Sequence, residues 1–171
     1  MDAIVNEAVK IGAPLTEATV GRLSEHVIGS GKATRSSDVI VSNATDKVLH
    51  LSSSKCEWGG FARNMFPEPV IPSNKSSVFA IESNGYMAGV SCDIDYKSSD
   101  GNSWISLFIC NPYIGSNEIR SKSSSDLTII ETLGRGHNNQ VRFYVKNTEM
   151  NSSSNSTTGH VSVSELDVVQ K

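Results

Sequence analysis

The chain has 171 residues, a length that fits one domain with a sizeable core. Its formal net charge of −3 and its scattered Lys and Arg residues leave no electrostatic footprint for nucleic acid. Only 19% of the residues are charged, and the polar quota is filled by Ser, Asn, Thr and Gly, which suits strands joined by many turns better than a helical bundle.

Residues 2–28 open the chain with helical periodicity. Ile4, Ala8, Ile11 and Leu15 share one side of a helical wheel, and Val5, Val9, Val20, Leu23 and Val27 widen it. Asn6, Glu7 and Lys10 lie opposite, and Glu7, Lys10, Glu17, Arg22 and Glu25 mix both signs of charge, unlike a simple basic membrane anchor. A continuous helix of about 26 residues would run about 39 Å, more than the roughly 30 Å of a bilayer's hydrocarbon core. Alone it is ill suited to lipid; several copies with polar sides inward would line a pore. By pattern alone, such a stripe is more often a surface helix packed on a core. Gly12 and Pro14 interrupt it, so one helix is expected to end near Gly12 and another to start at Pro14 or Leu15. Residues 1–28 lack the continuous apolar stretch and cleavage site of a secretory signal, and no run of 18 apolar residues occurs. The expected setting is a soluble protein acting at target membranes, extracellular by preference, with a cytoplasmic life as the alternative.

Gly29-Ser-Gly-Lys32 resembles the end of a phosphate loop, but His26 and Ala33 occupy positions that need Gly and Ser or Thr; it reads better as a helix stop. Asp38–Ser42 and Lys47–Ser52 are β-rich runs, and Asn43-Ala-Thr-Asp46 predicts a hairpin between them. Residues 53–77 read as an irregular section with Trp58, Gly59, Gly60 and Phe66, whose prolines at 67, 69 and 72 forbid a central strand. Strands follow at Ser77–Glu82 and Met87–Lys97, where Val90, Cys92, Ile94 and Tyr96 alternate with polar residues. Ser99-Asp-Gly-Asn102 is turn chemistry. Trp104–Cys110 is apolar on both faces apart from Ser106 and predicts a central, doubly covered strand with Trp104 in the core. Gly115–Ser125 reads as loop or edge, Asp126–Thr132 and Gln140–Lys146 as strands, residues 150–158 as a low-complexity stretch, and Gly159–Val168 as a last strand. These runs predict a mainly β protein, a β-sandwich over 36–171 flanked by the N-terminal amphipathic helix and at most one other short helix. Cys56, Cys92 and Cys110 form an odd set without metal spacing and read as buried free thiols.

Three separated pieces resemble the actinoporins, the pore-forming cytolysins of sea anemones, and actinoporin-like proteins. They are Asp2-Ala-Ile-Val5 through Ile11-Gly-Ala-Pro-Leu-Thr16 and Leu23; Ala88-Gly-Val90, Tyr96, Ser99-Asp-Gly-Asn102, Leu107-Phe108 and Pro112-Tyr113; and Asn155-Ser-Thr-Thr-Gly-His160. The resemblance spans about half the chain and implies a single domain, residues 1–171, in which the segment 1–28 is detachable. It implies a monomer that docks on lipid headgroups, forms a homo-oligomer on the membrane and inserts its N-terminal helix. Ile4, Val5, Ala8, Val9, Ile11 and Leu15 would then enter the bilayer. By position, Ser91, Cys110 (or Ile109) and Pro112 fall on the family's phosphocholine pocket, Gly59 or Gly60 faces it, and Tyr113 contacts headgroups. The aromatic tip that follows Pro-Tyr in the family is replaced here by Ile114-Gly-Ser-Asn-Glu-Ile119, and the tyrosine-bearing second helix has no counterpart. Both departures argue against sphingomyelin as the target.

No enzyme is expected. His26, His50, His137 and His160 lie on different elements, no pair has metal spacing, and Asp93 and Asp95 on one strand face read as a solvated face. No cofactor or metal is called for. The expected function is membrane binding with pore formation; the alternative is a lectin-like or headgroup-binding module, reading a lipid or a glycan without perforation.

Overall fold

Period-two alternation of Val, Ile, Leu and Phe leaves each segment with one face that must be covered. Two such faces meet in this molecule, a computed structural model that describes residues 14–17, 19–20 and 33–149. Within these residues the strands are β1 (Ser36–Ala44), β2 (Leu49–Trp58), β3 (Gly60–Phe61), β4 (Val70–Ile71), β5 (Lys75–Glu82), β6 (Val90–Ser98), β7 (Trp104–Asn111), β8 (Glu118–Ser123), β9 (Leu127–Leu133) and β10 (Asn138–Asn147). One sheet has the order β3-β5-β1-β10-β9 and the other β4-β2-β6-β7-β8. At the centre of the first, β1 runs antiparallel to β5 and parallel to β10.

The core lies between the sheets. Val39, Val41, Phe79, Ile81, Val141 and Phe143 of the first sheet meet Val90, Ile94, Tyr96, Ile105, Leu107 and Ile109 of the second, all buried. A smaller apolar patch covers the back of the first sheet, where Ile40, Val78 and Ala80 pack with Ala62, Met65 and Leu15. The mainly β, two-sheet architecture expected from the alternation is the one observed.

Several finer expectations are corrected. Asp38–Ser42 and Lys47–Ser52 form no hairpin, because β1 and β2 belong to different sheets. Asn43 fixes the corner instead: its amide nitrogen donates to the carbonyls of Lys47, Ile71 and Pro72, and its oxygen accepts from Thr45. Residues 53–58 continue β2 through two register shifts, whereas the prolines do stay out of central strands. Strand β7 has one covered face: Ile105, Leu107 and Ile109 are buried, but Ser106, Phe108 and Cys110 are half-buried on the outside and Trp104 is exposed beside Lys97. Cys56 and Cys92, directly paired on β2 and β6, form a disulfide, leaving Cys110 as the free thiol. Their separation of 36 residues hid a partnership that the strand register creates.

Only the clasp of the N-terminal segment falls within the described residues. Leu15 bridges Ser76 in parallel; the Thr16 N–H donates to the Ser76 carbonyl at 2.9 Å and the Ser76 N–H to the Pro14 carbonyl at 2.8 Å. Thr16 then caps a helical turn, its hydroxyl oxygen accepting from the Thr19 N–H at 3.1 Å. The hydroxyls of Thr16 and Thr19 both donate to the carboxylate of buried Glu68. The remainder of the helix predicted over 2–28, including Ile4, Val5, Ala8, Val9 and Ile11, and the strand predicted at 159–168 lie outside the described residues.

Candidate functional site

Strand register places five connections at one end of the sandwich: residues 33–35 leading into β1, 58–60 between β2 and β3, 83–89 between β5 and β6, 112–117 between β7 and β8, and 134–137 between β9 and β10. Across the second sheet at this end runs a row of paired residues, Trp58, Ser91, Cys110 and Glu118. The sequence-predicted Ser91 and Cys110 are thus true neighbours. Burial pushes the Cys110 thiol up, with the Glu118 charge adding to the effect and a hydrogen bond with Ser91 opposing it.

Gly59 makes the corner from one sheet to the other. Its φ is +71°, and a Cβ there would lie 2.4 Å from the Glu82 carbonyl oxygen and 2.8 Å from the Val90 side chain. No other residue fits without displacing backbone. Gly89 allows a second close approach: a Cβ would stand 2.8 Å from the Pro112 Cα and 2.9 Å from the Tyr113 nitrogen. The 83–89 connection therefore lies directly against Asn111-Pro112-Tyr113.

Arg35, 8% exposed, holds this assembly from below. Its guanidinium donates to the carbonyls of Pro112 at 3.2 Å, Tyr113 at 2.9 Å and Thr34 at 2.9 Å, and lies 4.9 Å from the centre of the Tyr113 ring. Asn111 adds a cross-tie, its amide donating to the carbonyls of Ser36 and His137, each at 2.9 Å. Asn117 donates to the Gly136 carbonyl at 2.9 Å, joining the last two connections. Loops tied this densely present their tips from a fixed base.

Those tips are apolar. Tyr86 is 89% exposed, Ile114 85%, Trp58 60% and Met87 57%, with half-buried Tyr113 beside them. None of the five connections contains an Asp or Glu, while Arg35, Arg135 and His137 all lie in them. The opposite end is acidic: Asp46, Asp100 and Asp126 sit in its turns. Hydrogen bonds from the Ser103 and Ser124 hydroxyls hold the Asp126 carboxyl at about 2.

Pro112 and Tyr113 thus share one end with Ser91, Cys110 and Gly59, as expected. Leu15 does not join them; it is half-buried on the back of the first sheet. Arg35, Tyr86, Met87 and Ile114 are additions that the chain order conceals, because they come from three connections and only the register unites them with Trp58 of the segment read as irregular. A signal existed for Tyr86 and Met87: they follow Ser83-Asn-Gly85, turn chemistry that puts them in a connection. Among the described residues, no helix is long and apolar enough to cross a membrane, and no three His, Cys, Asp or Glu side chains gather to hold a metal ion.

No family model matches the chain, and no curated protein sequence does. Among solved structures, the fold is similar to that of the lipid binding protein Nakanori, seen in a crystal structure at 1.5 Å resolution. The TM-score is 0.65 and the identity 16%, over 82% of this chain and 85% of that one. At this identity the likeness is one of fold, the same mainly β architecture that the sequence resemblance implied.

Proposed function

We infer that this is a membrane-docking protein, a binder and not an enzyme, that meets lipid with the loop end of its sandwich. One observation carries the reading: three of the five connections bring exposed Trp58, Tyr86, Met87 and Ile114, with Tyr113, to one end, and none of the five contains an Asp or Glu. Trp and Tyr join an apolar body to a polar tip and favour the boundary between headgroups and acyl chains. Excluding Asp and Glu removes the side chains that an anionic headgroup layer would repel. Pro112, Tyr113, Ser91, Cys110 and Gly59 lie at or beneath this surface, as a headgroup site requires. The fold shared with a lipid binding protein supports the reading.

The finer proposal is that docked copies assemble and that the segment 1–28 enters the bilayer through Ile4, Val5, Ala8, Val9, Ile11 and Leu15. Insertion of Leu15 requires its bridge to Ser76 to open first. The alternative is a module that binds a headgroup or glycan and stops there. Vesicle pelleting combined with dye release separates these readings. Trp58→Ala and Tyr86→Ala should each weaken pelleting about tenfold, the loss expected when a large ring no longer leaves water. Unchanged pelleting in both variants refutes docking by this end. Ile4→Asp with Ala8→Asp should abolish dye release and spare pelleting; wild-type protein that pellets and releases nothing is a binder alone.

A further inference from the structure

Beside the apolar tips, the 115–117 and 133–137 segments enclose a groove of about 470 Å³. It is lined by three glycines (115, 134 and 136), Ser116, Asn117, Leu133, Arg135 and His137. Every ionisable side chain in that lining is a cation or a histidine. Arg135 has no carboxylate within 4 Å among the described residues, so its charge is not already neutralised by a neighbour. The frame of the groove is fixed. The His137 carbonyl accepts from the Ser36 N–H at 3.1 Å and from the Asn111 amide at 2.9 Å, and the Gly134 N–H donates to the Gln140 carbonyl at 2.8 Å. Gly134 has no room for a side chain, since a Cβ would lie 2.7 Å from that same carbonyl oxygen. Outside the lining, buried Arg35 braces the Pro112-Tyr113 backbone that leads into the groove through its bonds to their carbonyls.

A guanidinium, an imidazole and a hydroxyl facing one groove without an acid form a donor set for a phosphate ester. The groove follows directly on Tyr113 and Ile114 in the chain, so a group bound in it lies at the depth of headgroups when those tips sit in the interface. Resting on the docking reading above, we propose that this groove takes the phosphate of an anionic phospholipid headgroup, with Arg135 as the charged ligand and His137 and Ser116 as hydrogen-bonding partners. The class of lipid it selects carries a net negative phosphate, a phosphomonoester best of all, since that offers the most unshared oxygens and charge.

Two vesicle compositions test this: phosphatidylcholine alone, and phosphatidylcholine with phosphatidic acid. Wild-type protein should pellet more strongly on the second. Arg135→Gln should reduce that preference about fivefold, and adding His137→Gln should erase it. Lys122→Gln removes the same charge on the outer face of β8, away from the groove. If it lowers the preference as much as Arg135→Gln, net charge and not a site is responsible, and the proposal falls. It also falls if the Arg135→Gln, His137→Gln double variant keeps the wild-type preference; docking by the apolar tips then still stands. A titration with glycerol phosphate, followed by the His137 ring resonances, keeps the two readings apart. Should those resonances shift saturably while no vesicle pellets the protein, the groove binds a free phosphate ester, and both the lipid assignment and the docking reading are overturned.

Discussion

At the residue scale, the loop end depends on what two glycines lack. A methyl group at Gly89 meets backbone on the facing connection, at 2.8 Å from the Pro112 Cα, and backbone cannot rotate away as a side-chain end can. Gly89→Ala should therefore cost about 1–3 kcal/mol, the range for overpacking. It should also displace Tyr113 and Ile114 and weaken vesicle pelleting. Thermal unfolding measures the first effect; unaltered unfolding would show that the two connections have slack between them. Arg35 meets the opposite requirement. Three carbonyls converge on a buried cation, and their lone pairs would go unmet if it were replaced. In the sequence Arg35 follows the segment that reads as a helix stop, with nothing to mark it as the support of a loop 77 residues away.

At the element scale, strands were legible and their partners were not. The alternation of Val90, Cys92, Ile94 and Tyr96 identifies β6 and its inner face directly, because period two is a local property. That β1 and β2 part company at Asn43 is not local: the Asn43 amide reaches Ile71 and Pro72, which lie 28 and 29 residues on. Strand β7 misled for a related reason. Trp104 and Phe108 are apolar, yet the outer face holds them beside Lys97, Asp93 and Arg120, whose guanidinium covers the Phe108 ring at 4.2 Å. The candidate site divided in the same way: Ser91, Cys110, Pro112 and Tyr113 came from the resemblance, while Tyr86, Met87 and Ile114 became visible only with the register. That register also creates the Cys56–Cys92 link between β2 and β6. Changing both cysteines to Ala should lower stability by about 2–4 kcal/mol, seen as a lower midpoint in urea. A thiol assay on the unfolded wild-type chain should find one reactive group without reductant and three with it; three in both cases would rule the link out.

At the scale of the whole molecule, the sandwich has a polarity. Exposed aromatic and apolar tips occupy one end, with no Asp or Glu in its five connections, while Asp46, Asp100 and Asp126 lie at the other, the first and last paired with Lys47. The N-terminal clasp lies towards the acidic end, where Leu15 and Thr16 meet Ser76 at the start of β5. Its polar anchor is small. Thr19 donates to Glu68 and accepts from the Val78 N–H at 3.3 Å, so Thr19→Val leaves a buried carboxylate and a backbone N–H short of a partner each. A loss of about 1–3 kcal/mol in the closed clasp is expected. Limited proteolysis should then cut the N-terminal segment sooner while the sandwich stays intact; an unchanged cleavage rate would mean that Leu15 and the backbone bridge suffice.

The two attachments of that segment sit at opposite ends. It is clasped near Ser76 and rejoins the scaffold at Ala33-Thr34-Arg35, against Tyr113. A segment freed from the clasp is thus leashed at the end proposed to meet lipid. Its next encounter is intramolecular, governed by an effective concentration that the leash sets and that dilution of the protein does not change.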